Sequence, residues 1–370
     1  MRSCGVMLWG VTRRNAMQRK RRAIQLAPAL LLLLGGCIGP TLRAPDIAPA
    51  ALETESAYQR EAFLHEWQRL RLKLFRASYP LMAGSVYYDV LPTRPSIGVL
   101  LFHPELMPQH LQAQAAELWP TPQGLRIWAV APGSPAAAAG LQTDDYLLAL
   151  DGVPLPAGAQ GLNYLVAHMP DDRPASLEIQ RGEQHLTVEV RPQPIVDVVM
   201  QLNWREDANA RATFTQIEVH AGMIRFCDTD AQLSFIIAHE LAHLMLEHVR
   251  KTLLNYATGT LADAALALGH IYTPNGLGII GAVRQSEAFE VEADYLSLYL
   301  LAQSGYDLEA VLPFWRRVGL LHPPRSANDL PRYPSHPETA ERYLRMQAAI
   351  EEIHAKQDHG EPLVPQGWED

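Results

Sequence analysis

The chain has 370 residues, of which 48% are hydrophobic and 19% are charged, so it is long enough for two domains that each bury a core. Its 31 Lys and Arg stand against 40 Asp and Glu, a formal net charge of −9 at pH 7. This acidic balance, without a basic and aromatic patch, argues against nucleic acid as a partner.

Residues 1–36 have the composition of a signal peptide. They hold seven Arg and Lys and no acid, and the uncharged run 23–36 is too short to span a bilayer comfortably. The run ends in Leu34-Gly35-Gly36-Cys37, which resembles a bacterial lipobox, and this resemblance implies that Cys37 becomes the lipidated first residue of the mature protein. An ordinary cleaved signal and an uncleaved anchor stay open as alternatives, as does a start at Met17.

A lipid on Cys37 would set the location and charge of the protein. Ile38 rather than Asp follows the cysteine, which by the sorting pattern of such lipoproteins implies the periplasmic face of the outer membrane. Of the 31 Lys and Arg, the seven in residues 1–36 would be removed, leaving 24 against 40 acids and a net charge of −16. Cys4 would also be removed, so Cys227 would remain as the one free thiol and no internal disulfide is expected.

Residues 37–94 are predicted to connect the lipid to the folded part. Ile38–Leu52 is rich in Pro and Ala, which is typical of a tether, and Thr54–Arg76 has the pattern of a charged amphipathic helix. Residues 95–195 then alternate short apolar runs with turn signals, which predicts a small, mostly-β module.

Three segments of this module resemble a bacterial PDZ domain: Val130–Ala136, Ala139–Leu141 and Tyr146–Gly152. The resemblance implies that Leu177–Val190 is the closing hairpin and that a peptide terminus or extended segment binds as an added strand, with a carboxylate on backbone N–H groups. Ile97-Gly98-Val99 is the candidate for the carboxylate loop, and a plain strand start is the alternative.

His239-Glu240-Leu241-Ala242-His243 carries the strongest chemical signal in the chain. The apolar periodicity and the lack of Pro and Gly predict one helix from Ala231 to Val249, with Asp228 and Asp230 as candidate N-caps. On a helix the two imidazoles lie one turn apart on one face with a carboxylate beside them, which is the front half of a zinc hydrolase site.

A catalytic zinc needs three protein ligands and an open position for water. A second helix is predicted from Glu287 to Ala302, and its carboxylates stand among apolar residues, where they are costly to bury unless they bind a metal or a partner. Glu290 and Asp294 are four residues apart and share a face of this helix.

The pentad, His248 and Glu290-Val291-Glu292-Ala293-Asp294 together resemble the zinc metalloprotease family that contains the CAAX prenyl endopeptidases and HtpX-like proteases. The resemblance implies one zinc ion per chain, bound by His239, His243 and Glu290. It also implies that Asp294 orients a zinc-binding imidazole. Glu287 is a departure, because relatives usually have Arg or Gln there.

Further segments extend the resemblance over about residues 196–350. They are Asn209-Ala210, the strand segment Gln216–Phe226, Gly305-Tyr306-Asp307, and Ser335-His336-Pro337 with Arg342. In the family, a strand that here lies around Val219–Ile224 runs beside the catalytic helix, and its backbone edge would hold an extended substrate.

The implied mechanism makes Glu240 the general base. The role of His336 stays open between stabilising an oxyanion, closing the open zinc position as a latch, and a structural role. His248 falls five residues after His243, off the ligand face, and is predicted to be structural.

These patterns predict an α+β protein: a mainly helical zinc metalloprotease domain with a small edge sheet (196–355) and a short tail (356–370), preceded by the PDZ-like domain (95–195). The predicted function is a lipid-anchored periplasmic zinc endopeptidase for protein quality control, acting on unfolded or misassembled envelope proteins. The alternative is a PDZ adaptor or chaperone-like lipoprotein with a latched or inactive protease domain. An integral membrane protease would need several spans, which the sequence lacks.

Overall fold

The computed structural model describes residue 42 and residues 44–122, 124–268, 286–321 and 340–368. The leader 1–36, Cys37 and His336 therefore lie outside the described residues. The chain divides into two compact units, Met1–Ser56 and Ala57–Asp370, and the second unit holds every residue of the site discussed below.

Helices dominate the second half of the chain. In the described ranges they are α1 (Pro49–Gly84), α2 (Gln109–Leu118), α3 (Pro135–Ala138), α4 (Ala159–His168), α5 (Ala221–Phe226), α6 (Asp230–Met245), α7 (His248–Leu268), α8 (Ser286–Gln303), α9 (Val311–Val318) and α10 (Ala340–His359). None of the helices described is both long enough and apolar enough to cross a membrane.

Strands concentrate between residues 93 and 220. They are β1 (Thr93–Ser96), β2 (Val99–Phe102), β3 (Leu125–Val130), β4 (Tyr146–Leu150), β5 (Val153–Pro154), β6 (Ala175–Arg181), β7 (Gln184–Val190), β8 (Gln193–Val196), β9 (Val199–Asn203), β10 (Ala210–Ala212) and β11 (Gln216–His220). The first sheet pairs β1 with β8, the second has the order β2-β3-β4-β6-β7 with β5 on β4, and the third has the order β10-β11-β9. The predicted α+β class is confirmed, with the strand-rich module before the helical part.

The second sheet contains the predicted hairpin. Strands β6 and β7 pair antiparallel from Ala175 opposite Val190 to Arg181 opposite Gln184. Asp144 precedes this sheet's β4 with φ +73°, a left-handed conformation that glycine adopts most easily and aspartate tolerates. The Asp144 carboxylate is paired with Arg126 at 2.6 Å, so the aspartate at this turn has a cation beside it.

Helix α1 contacts both the β module and the helical part. Leu64 is fully buried beside Phe102 and Trp128, whose rings stack at 3.9 Å, and Trp67 meets Trp128 edge-on. Further along the helix, Leu70 joins the large core that also holds α6 and α8. The two parts of the second unit are therefore packed on one continuous helix.

The predicted end of α1 at Arg76 is wrong, and so is its predicted start at Thr54. The helix runs from Pro49 to Gly84, through Pro80. A proline removes the hydrogen bond to the carbonyl four residues earlier, which here belongs to Arg76. The hydroxyl of Tyr306 donates to that carbonyl at 3.2 Å, so a contact from a distant element stabilises the helix beyond the proline.

The prediction of one helix from Ala231 to Val249 is also wrong. Helix α6 ends at Met245, Glu247 takes the left-handed φ of +54°, and α7 begins at His248. The sequence has no Gly or Pro at this break, so local propensity indicated continuity. The break turns His248 back towards the end of α6.

The N-cap of α6 differs from the prediction as well. The side chain of Thr229 accepts a hydrogen bond from the backbone N–H of Gln232 at 3.2 Å, which caps the helix. Asp230 lies in the first turn and bonds to Arg76, and Asp228 pairs with Arg317. Both candidate aspartates are therefore used in contacts with other helices.

Candidate metal centre

Helix α6 presents two buried imidazoles on one face. His239 and His243 lie one turn apart, and their Nε2 atoms are 3.0 Å apart. Helix α8 places Glu290 opposite them, with Oε2 3.2 Å from Nε2 of His239 and Oε1 3.4 Å from Nε2 of His243. The structure thus brings the three predicted metal ligands together, and all three are buried.

These separations fit a tetrahedral metal ion. Zinc bonds to nitrogen and oxygen of about 2.0 Å hold neighbouring ligand atoms of a tetrahedron about 3.3 Å apart. The observed separations of 3.0, 3.2 and 3.4 Å are close to that value. Two imidazoles and one carboxylate are also a donor set of catalytic zinc sites, which leave the fourth position to water. The residues therefore suit one zinc ion.

Asp294 and Arg342 surround the triad with buried charge. Oδ1 of Asp294 lies 3.0 Å from Nδ1 of His239, the contact expected of an orienting acid. Arg342 is fully buried and donates from Nε and Nη2 to Asp294 at 2.6 and 2.8 Å, and its Nη1 lies 3.3 Å from Oε2 of Glu290. Sequence motifs included Arg342 but indicated no role for it.

Electrostatics favour positive charge at the triad. Burial lowers the pKa of His239, but hydrogen bonds with Asp294 and Glu290 outweigh burial and raise this pKa to about 10. Burial raises the pKa of Asp294, but Arg342 and His239 outweigh it and hold this pKa below its ordinary value. Burial lowers the pKa of His243. A divalent metal would therefore replace a proton that the surrounding carboxylates already stabilise.

Glu240 lies beside the triad and contacts a strand. The side chain is buried, and one carboxylate oxygen accepts a hydrogen bond of 2.7 Å from the backbone N–H of Ala212 on β10. The strand that contacts Glu240 is therefore β10. The sequence predicted that the segment around Val219–Ile224 lies beside the helix, and β11, which holds the start of that segment, also contacts α6. The predicted open edge is wrong, because β11 is the central strand of its sheet and residues 221–226 form α5.

His248 contacts the triad, although its spacing indicated a structural residue. Its Nδ1 lies 2.8 Å from Nδ1 of His243, and its Nε2 lies 3.0 Å from Glu292. Regular helix geometry would place residue 248 off the ligand face, and the break at Glu247 removes that geometry. The helical periodicity of the sequence therefore gives no signal for the contact between His248 and His243.

Two protein-family models match parts of this chain. The model described as Peptidase family M48 matches residues 189–350, and the model of the PDZ domain matches residues 126–181. Residues 189–350 are therefore similar to a peptidase family M48 domain. The triad, Glu240, Asp294 and Arg342 all lie within this domain. The CAAX prenyl endopeptidase and HtpX-like branch of the resemblance stays a prediction.

Curated relatives are similar to part of this chain. The chain is 27% identical over 124 residues to Mitochondrial metalloendopeptidase OMA1 of Arabidopsis thaliana, covering 32% of this chain and 25% of that protein. It is 24% identical over 181 residues to Beta-barrel assembly-enhancing protease of Escherichia coli, covering 45% of this chain and 35% of that protein. The chain thus spans about a quarter to a third of these relatives. The matched family is a peptidase family, and both relatives are named as a metalloendopeptidase or a protease.

The PDZ domain precedes the M48 domain. Among solved structures, the HtrA3 PDZ domain bound to a phage-derived ligand is 23% identical, covers 28% of this chain and 89% of that chain, and has a TM-score of 0.22. In the present structure Gly98 has φ +79°, and a Cβ there would meet Ser134 at 2.4 Å and Tyr79 at 2.7 Å. Gly98 therefore occupies a crowded position with a left-handed backbone that requires glycine, directly before β2.

Proposed function

We propose that this chain is a zinc-dependent endopeptidase of the bacterial cell envelope that degrades misfolded or unassembled proteins. The observation that carries the proposal is the convergence of His239, His243 and Glu290 beside Glu240 within an M48 domain. The name of the Escherichia coli relative, Beta-barrel assembly-enhancing protease, supports the envelope as the setting.

The reaction we propose is hydrolysis of a peptide bond. When bound, zinc supplies Lewis acidity, which lowers the pKa of a water molecule and polarises the substrate carbonyl. Glu240 takes the proton of the attacking water and gives it to the leaving amine. The N–H of Ala212 fixes the orientation of the Glu240 carboxylate for both transfers, and Asp294 and Arg342 hold the ligands His239 and Glu290.

The outer edge of β10 is our proposed substrate track. Among the described strands, β10 pairs with β11 on one side only. The ladder bonds of Asn209 and Thr213 face β11, so alternation turns the N–H and carbonyl of Ala210 and the carbonyl of Ala212 to the outer edge for a substrate, while the N–H of Ala212 bonds to Glu240. A substrate strand added there would lie next to Glu240. Main-chain recognition of this kind selects weakly for sequence, which suits unfolded substrates.

The PDZ domain is proposed to bind peptide termini or extended segments. Strand β2 ends the order of its sheet, so its outer edge is available for an added strand among the elements described. Ile97-Gly98-Val99 leads into that strand and is the proposed carboxylate site. The N–H of Gly98 is bonded to the Ser96 hydroxyl at 3.2 Å, so a peptide carboxylate would compete with that hydroxyl.

Membrane attachment through Cys37 is also a proposal, supported by the lipobox-like tetrapeptide. It places the protein in the periplasm, anchored to the outer membrane by its lipid. Replacement by alanine, Cys37→Ala, is expected to abolish incorporation of labelled fatty acid in cells. Equal labelling of the variant would remove the lipoprotein proposal.

A PDZ adaptor or chaperone with a latched protease domain is the second candidate. His336 is proposed to act at the metal, either as an oxyanion donor or as the latch. His336→Ala lowers turnover in the first case and raises it in the second, and unchanged turnover assigns His336 to structure. The intact Glu240 favours the enzyme over an inactive domain.

Metal analysis tests the proposed function. After dialysis, the wild-type protein is expected to keep one zinc per chain, and Glu290→Gln is expected to lose most of it because one of three ligands is weakened. Glu351→Gln, an exposed acid on α10, serves as the matched control. Unchanged zinc content in Glu290→Gln would remove Glu290 from the ligand set. The absence of zinc from all three proteins would contradict the proposal that this chain is a zinc enzyme.

A further inference from the structure

A second histidine contact leads from the triad towards the surface. Nδ1 of His243 lies 2.8 Å from Nδ1 of His248, and Nε2 of His248 lies 3.0 Å from Oε2 of Glu292. The side chain of His248 is 3% exposed, whereas that of Glu292 is 48% exposed. The contacts therefore connect a buried proposed ligand with a half-exposed carboxylate.

Proton positions along these contacts follow from the chemistry of imidazole. A metal at the triad requires the lone pair of Nε2 of His243, so a neutral His243 carries its proton on Nδ1. That proton can bond only to an unprotonated Nδ1 of His248, which puts the proton of a neutral His248 on Nε2. Nε2 then donates to Glu292. Each of the two short contacts has one donor and one acceptor in this arrangement.

The fold holds His248 firmly in this place. The left-handed Glu247 ends one helix and starts the next, so His248 is the first residue of α7. Its ring stacks on Phe289 with centroids 4.4 Å apart and planes 15° from parallel. Phe289 precedes Glu290 on α8, so the residue that fixes the His248 ring adjoins a proposed metal ligand.

We infer that His248 and Glu292 are positioning residues that fix the tautomer and the ring orientation of His243 for metal binding. The inference rests on the proposed zinc site. It gives the two ligand imidazoles different supports: His239 is held directly by the buried Asp294, and His243 is held through His248 by a carboxylate at the surface. Metal-ligand histidines commonly depend on such partners for affinity.

The full chain carrying His248→Phe tests the inference. Phenylalanine keeps a ring to stack on Phe289 but cannot bond to His243, so zinc affinity is expected to fall by about 10–100-fold in competition with a chelator. His248→Gln is expected to recover most of the affinity, because an amide can accept from His243 and donate to Glu292. Wild-type affinity in His248→Phe would overturn the inference.

Two further readouts separate this inference from the zinc site itself. Nitrogen NMR of the metal-free protein is expected to show His243 protonated on Nδ1 in the wild type and a mixture of tautomers in His248→Phe. If His248→Phe does not fold, Glu292→Ala at the exposed end is expected to show the same change to a smaller extent. A wild-type protein that binds no zinc contradicts the proposed function, whereas identical His243 tautomers in all variants contradict only the positioning role.

Discussion

Replacing Arg342 by methionine tests whether this buried guanidinium holds the site together. Arg342 comes first by volume among the fully buried side chains in the part of the chain that the structure describes. It makes two hydrogen bonds with Asp294, approaches Glu290 to 3.3 Å and lies 4.5 Å over the ring of Trp315. Methionine retains apolar contact with Trp315 but removes the charge and every donor.

The expected cost is large because two buried carboxylates, Asp294 and Glu290, lose one of their neighbouring cations and keep the protonated His239. Removing one partner of a buried ion pair costs about 3–5 kcal/mol, since the other charge stays buried and uncompensated. Arg342→Met is therefore expected to lower the free energy of unfolding by at least about 3 kcal/mol. That loss is a large share of the roughly 5–15 kcal/mol that holds a typical protein folded.

Arg345 supplies the matched control on the same helix. It pairs with Glu341 at 2.6 Å, but both side chains are 59% exposed, and such pairs contribute about 0.2–1 kcal/mol. Urea unfolding of the metal-free proteins, followed by far-ultraviolet circular dichroism, compares Arg342→Met with Arg345→Met. Equal unfolding midpoints for the two variants would refute the role assigned to Arg342.

Three further predictions follow from other contacts. Burial raises the pKa of the Cys227 thiol to about 12, so with the other two cysteines replaced by serine the folded protein is expected to resist alkylation at pH 8 and to react fully once unfolded. The hydrogen bond from Arg69 lowers the pKa of Glu66 from 4.5 to about 2, so this carboxylate contributes stability above pH 4.5 that is lost as the pH falls towards 2. Lowering the pH should therefore destabilise the wild type more than Glu66→Gln, by a difference of about 1 kcal/mol because solvent screens the half-exposed Arg69, and parallel stability curves would contradict this. Ala212→Pro removes the N–H that bonds to Glu240 without removing a β10–β11 ladder bond, so turnover is expected to fall about tenfold or more, and unchanged turnover would show that this bond does not matter.

Helix geometry predicted which residues share a face within each helix, and the family resemblance predicted that Glu290 joins the two histidines. His239 and His243 are four residues apart on α6, and Glu290 and Asp294 are four residues apart on α8, so each pair shares a face. What the sequence leaves open is how the two helices pack. Apolar residues on both helices supply that contact, and the family resemblance indicated it before the structure did.

The wrong predictions fall where local sequence patterns carry no signal for the structure that forms. Helix α1 continues past Pro80, where the Tyr306 hydroxyl donates to the Arg76 carbonyl that loses its helical hydrogen bond to the proline. Helix α6 breaks at Glu247, where the sequence has no glycine or proline, and the break brings His248 to His243. Strand β10 has only three residues, too few for a periodic signal, yet it borders Glu240.

The central claim is that Glu240 is the base of a zinc endopeptidase. Its most direct test is cleavage of an unfolded model protein by purified wild-type protein and by Glu240→Gln, both with zinc content measured. The two proteins are expected to hold equal zinc, and only the wild type is expected to cleave, since glutamine cannot take the proton of the attacking water. Equal cleavage by both proteins, or none by the zinc-loaded wild type, would contradict the central claim.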